Sequence, residues 1–220
     1  MRKIFFVIFT FFLTFGYSQS VFLKTGLNLT SYDYSNSSNS ANENVKSSSG
    51  SFYEIGYSIP LKISKKYNSS SSKLNFETSL IINQFNATGG NSSDNYNWDT
   101  NYLGLKGNFI YSLIGQVGSL FNISLFTGIG LNKIIDGKQK IGGITYDITK
   151  HDEFNNIMIS PNVGLNIKYD TSKKVFLLLG IGMSKTLPLS KNSDNNESLS
   201  FKNTQISFGV QLDLNCCSRD

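Results

Sequence analysis

From residue 19 onward apolar and polar residues trade places one by one in eight segments, and no stretch carries a stripe at 3.6-residue spacing. Alternation with period two marks β-strands whose two faces meet different surroundings. One face reads Leu23, Thr25, Leu27, Leu29 in the first segment and Tyr53, Ile55, Tyr57, Ile59 in the second. The fourth gives Leu103, Leu105, Gly107, Phe109, Tyr111, the fifth Phe121, Ile123, Leu125, Thr127, Ile129, Leu131, and the last Ile206, Phe208, Val210, Leu212. None of these positions is charged. The interleaved face is made of Gly, Ser and Asn together with charges of both signs, namely Lys24, Glu54, Lys62, Glu77, Lys106, Lys168 and Asp213.

Alternation fixes the strands but not which face turns inward. A soluble, lipocalin-like carrier would wrap its apolar face around a small hydrophobic ligand. Three features favour the opposite arrangement. Small polar residues suit the narrow lumen of an eight-stranded barrel, charges of both signs can pair there, and a solvated surface would rarely stay free of charge over so many positions. A strand of ~11 residues tilted by ~40° covers roughly 28 Å, enough for the ~25 Å apolar band of an outer membrane. The pattern therefore predicts an all-β fold, an eight-stranded antiparallel up-and-down transmembrane β-barrel. Its lumen would hold a polar network of the seven charged residues just named.

The joins between segments alternate in length. Residues 31–50, 87–100, 133–154 and 189–200 form long joins; 64–72, 113–118 and 170–174 form short ones. Outer-membrane barrels have short periplasmic turns and longer external loops, which gives the orientation. Aromatic residues at both levels fit interfacial girdles: Tyr53, Trp98 and Tyr102 near the outer interface, Tyr111 and Tyr169 near the inner one. Pro161, inside the sixth segment, withholds a ladder hydrogen bond, so a bulge is expected there.

Composition adds an address. Arg2 and Lys3 precede an apolar run, Ile4 to Phe15, ending at Gly16-Tyr17-Ser18. This is the layout of a secretory signal peptide over residues 1–18, cut before Gln19 and leaving a barrel domain over 19–220. The run is too short to cross ~30 Å of hydrocarbon as a helix. The expected location is the outer membrane of a Gram-negative bacterium, with its lipids as partners. Net charge is +5, but the lysines are scattered without a basic stripe, so no nucleic-acid partner is expected.

Candidate chemistry is sparse. His151, the sole histidine, lies in the third long join beside Asp152 and Glu153. It could serve as the base of a lipid-A-modifying enzyme, but no nucleophile is tied to it by a recognisable spacing. Gly128-x-Gly130 and Gly180-x-Gly182 lie inside strands with no helix following, so they are not nucleotide loops. Cys216 and Cys217 are adjacent and near the C-terminus, without another soft ligand for a metal. Neither a cofactor nor a catalytic or metal site is expected, and the chain reads as non-enzymatic.

Several short runs carry a likeness. Tyr102-Leu103-Gly104-Leu105-Lys106-Gly107-Asn108-Phe109, Leu125-Phe126-Thr127-Gly128-Ile129-Gly130-Leu131, Val163-Gly164-Leu165-Asn166-Ile167 and Ile206-Ser207-Phe208-Gly209-Val210 occur in the order and spacing found in PorT-like and OmpX-like proteins. The chain resembles this small outer-membrane β-barrel family over residues 19–215. It departs in having Gly107 where members often have Pro, and in ending on Leu214-Asn215-Cys216-Cys217 where an aromatic is usual. The resemblance implies a membrane scaffold whose loops meet external ligands, or whose barrel supports adhesion, secretion or envelope assembly with protein partners.

Overall fold

The structure, a computed structural model, describes residues 19–35, 45–61, 73–91, 94–115, 120–150, 152–172, 174–188 and 198–214. Chain order runs β1 (Ser20–Ser35), β2 (Val45–Pro60), β3 (Leu74–Asn91), β4 (Asp94–Ile114), β5 (Phe121–Ile141), β6 (Ile144–Asp147), a one-turn helix α1 (Asp152–Asn155), β7 (Met158–Ser172), β8 (Val175–Pro188) and β9 (Ser198–Asp213). Each long strand pairs antiparallel with its chain neighbour, and β1 pairs with β9, which closes the sheet. Eight strands make the barrel. The short β6 only folds back on the top of β5, through Gly142 and Gly143, whose positive φ angles suit a two-residue hairpin.

Register fixes the shape. Stepping from partner to partner, Ser20 leads to Ser58, Glu77, Asn108, Gly128, Asn162, Ser184, Asn203 and back to β1 at Thr30, ten residues above the start. A shear of ten on eight strands implies a tilt of about 41° and a radius of about 8 Å. Every residue on that circuit faces inward, so the circuit is also a ring of polar or small side chains.

The faces are inverted relative to a soluble protein. Leu23, Ile55, Leu80, Leu105, Ile129, Leu165, Ile181 and Phe208 are exposed on the outside, while Lys24, Asn28, Glu54, Glu77, Asn108 and Asn132 are buried within. A soluble carrier needs the apolar face turned inward, so the lipocalin-like alternative falls. Exposed apolar area on this scale is stable only against an apolar solvent. Among the described residues no helix is long and apolar enough to cross a membrane.

Two expectations about the strands need correction. The second and third long joins are largely ladder: β3 and β4 pair as far as Asn91 and Asp94, and β4 and β5 as far as Tyr96 and Ile141. Above the apolar band the outward face meets water, so its apolar residues give out while the backbone keeps pairing. Pro161 makes no bulge either. Register across β7 and β8 is unchanged on both sides of it, and only the pairs at Ser160 and Pro161 are missing. The amide position of Pro161 faces β8; the one absent N–H removes both pairs. On the lumen side the Ser160 and Thr186 hydroxyls hydrogen-bond at 2.8 Å across the gap.

Candidate functional site

Polar chemistry gathers in the lumen, in three layers. Nearest the termini lie charges. Lys24 Nζ meets Glu77 Oε2 at 2.9 Å, and Lys106 Nζ meets Glu54 Oε2 at 3.6 Å. Glu54 also accepts a hydrogen bond from Ser79 Oγ at 2.7 Å. The ammonium groups rest on aromatic faces as well: Lys24 over Phe22, Lys106 over Phe126 and Lys168 over Phe176, at 4.1, 5.7 and 3.6 Å from the ring centroids. Each charge is thus met by an opposite charge or an aromatic face, which is what burial of an ion requires.

Above the charges runs a belt of amides and hydroxyls. Asn28 is its hub: its Nδ2 donates to Asn83 Oδ1 at 3.3 Å, and its Oδ1 accepts from Asn203 Nδ2 and Gln205 Nε2 at 3.2 and 3.1 Å. Asn83 continues to Asn132 at 3.5 Å, and Asn132 to Ser160 at 2.8 Å, where the Thr186 contact completes the run. These residues come from six strands. A small cavity remains beside the belt, lined by Lys106, Phe126, Asn132, Ser160 and Asn162.

The outer mouth is stoppered by aromatics. Tyr32, Phe85, Tyr102 and Phe201 form a buried cluster with Met158, Ala87 and Ile134, and Trp98 and Phe154 pack against it. Ring centroids stand 4.4 Å apart for Tyr32 and Phe201 and 5.5 Å for Phe85 and Tyr102, in the range where aromatic pairs attract. The Tyr32 hydroxyl hydrogen-bonds Thr100 and the Phe85 carbonyl, both at 2.9 Å.

Against the sequence expectations, the structure brings Lys24, Glu54, Glu77 and Lys106 together, with Lys168 and Asp213 partly buried at the terminal end of the lumen. Lys62, His151, Cys216 and Cys217 lie outside the described residues, as does the segment 1–18. Of the five girdle aromatics, Tyr53, Tyr111 and Tyr169 point outward and are exposed. Trp98 and Tyr102 do not. Both share the even parity of Lys106, which places them inside, and Tyr102 is fully buried. The residues that sequence reasoning missed are the stopper and the belt. Their signal was present as large or amide side chains at lumen parity.

No protein-family model matches the sequence, and no curated protein is similar to it at a meaningful level. Solved structures are similar in fold. Neisserial surface protein A (NspA) superposes with a TM-score of 0.50 at 14% identity, covering 89% of this chain and 97% of that one. The outer membrane protein OprG from Pseudomonas aeruginosa gives 0.48 at 12% identity, covering 89% and 96%. The outer membrane protease OmpT from Escherichia coli gives 0.48 at 6% identity, covering 90% and 97%. The chain has the closed, all-antiparallel, eight-stranded fold of small outer-membrane barrels.

Proposed function

We propose that the chain is a bacterial outer-membrane protein, exported by residues 1–18, that acts as a sealed, non-catalytic scaffold. The carrying observation is the lumen: charges, amide belt and aromatic stopper occupy it layer by layer, leaving a small cavity beside the belt, on a barrel whose exterior is apolar. Buried charges held by one another are committed to structure and do not face a substrate. The working surface is then the outer end, where β3, β4, β5 and β6 continue as a solvated sheet beyond the apolar band. By its resemblance to PorT-like proteins, that end contacts external ligands or envelope and secretion partners.

The purified protein should keep a compact, faster-running band when loaded unboiled and slow on boiling. In planar bilayers it should give no discrete conductance steps. Stable open channels would overturn the sealed-scaffold reading. The envelope form should begin at Gln19 by mass spectrometry; retention of residues 1–18 would remove the export assignment.

A further inference from the structure

The outer rim carries lysines that the lumen does not use. Lys133 on β5, Lys185 on β8 and Lys202 on β9 point outward and are exposed. Each stands one alternation above an outward residue of the apolar wall or its edge, respectively Leu131, Met183 and Thr204. With the tilt set by the register, the three Cα atoms fall within about 4 Å of one another in height, at the upper edge of the apolar band. The outward residues at the same edge on β1 to β4 are Ser31, Ser51, Gln84 and Asn101, none of them basic.

The arrangement at Lys185 and Lys202 is costly unless something compensates it. Lys185 and Lys202 are direct partners across β8 and β9, and like charges opposite one another destabilise a sheet. Lys202 reaches Asp33 at 2.7 Å. The other neighbour of Lys185 is Pro161, at the gap in the ladder. Among the described residues neither Lys133 nor Lys185 has a carboxylate within ion-pair distance. Lys133 Nζ instead donates to the Asn155 carbonyl and to Asn155 Oδ1. Asp33 offsets one of the two ammonium groups; the other, pointing outward at the level where hydrocarbon ends, calls for an anion supplied by the membrane.

We propose that the Lys185–Lys202 pair binds the phosphate groups of a phosphorylated glycolipid in the outer leaflet. The inference rests on the outer-membrane reading. The acyl chains would lie on Ile181, Met183 and Ile206 below, and the phosphates would bridge the lysines above. Such a contact is worth on the order of fivefold in affinity per lysine near an anionic surface.

The test uses the folded full-length barrel in neutral detergent micelles, with native mass spectrometry reading bound lipid. The probes are a phosphorylated lipid A, its dephosphorylated form, and inorganic phosphate. The phosphorylated lipid should be retained and the dephosphorylated form lost, and the K185Q/K202Q double variant should bind roughly twenty-fold more weakly. K138Q, on the solvated extension, should bind like the parent. Equal retention of both lipids, an unaffected double variant, or full displacement by millimolar inorganic phosphate would overturn the proposal. A protein that shows no heat-dependent gel shift would sink the membrane reading itself, whereas a shifted band with equal lipid retention sinks only this inference.

Discussion

At the scale of single residues, parity decides almost everything. A side chain on the inward set of positions must be small, paired or stacked, and one on the outward set within the band must be uncharged and is mostly apolar. Lys24 and Glu77 show the first rule: each neutralises the other in a space of about 8 Å radius. Truncating one partner leaves an uncompensated ion, so K24M or E77M alone should lower stability by about 3 kcal/mol, whereas the K24M/E77M double variant should recover most of the loss. Urea unfolding in lipid vesicles measures this, with Trp98, the single tryptophan, as the fluorescent reporter beside the stopper. Additive losses in the double variant would show that the pair is not coupled. The small inward residues follow the same logic. A Cβ on Gly164 would stand 2.2 Å from the Ile181 carbonyl oxygen and 2.4 Å from Phe126 Cζ, so the Phe126 ring fills the lumen only because Gly164 and Gly182 leave it room.

Parity was legible in the sequence, and it is where two aromatic assignments failed. Trp98 and Tyr102 were placed at the outer interface because of their depth along the strand. Their position relative to Lys106 already put them on the lumen face. Depth along a strand says which level a residue reaches, and parity says whether lipid or lumen receives it; both are needed. The ion pairs were foreseeable as residue types, but not as partners, because a shear of ten brings together residues 53 apart in the chain, as with Lys24 and Glu77.

At the scale of elements, the strands proved longer than their alternation. Apolar alternation ends where the membrane ends, but β3, β4 and β5 continue because backbone hydrogen bonding does not depend on which side chains are apolar. The sequence reports the hydrocarbon slab faithfully and the solvated sheet hardly at all. The β7–β8 ladder gives a sharper case. If the gap at Ser160 and Pro161 comes from one missing donor, P161V should restore a rung and raise stability by about 1 kcal/mol. Its new amide should also be protected in hydrogen exchange. Fast exchange at residue 161 with unchanged stability would mean that the gap has another cause.

At the scale of the whole molecule, the eight strands, their closure and their order were readable because the period is two throughout and the joins alternate. What the sequence could not display was the layering of the lumen, since the amide belt draws on β1, β3, β5, β7, β8 and β9 at once and exists only after closure. The same closure brings scattered polar residues together as one lumen network. The fold rests on the inversion of its two faces, and spin labels in lipid vesicles probe that inversion. Labels at Leu105, Ile129 and Phe208 should be relaxed strongly by oxygen dissolved in the lipid, while labels at Lys106, Asn108 and Ser124, one residue or strand away, should be shielded from it. Oxygen accessibility following the second set instead of the first would contradict the structure described.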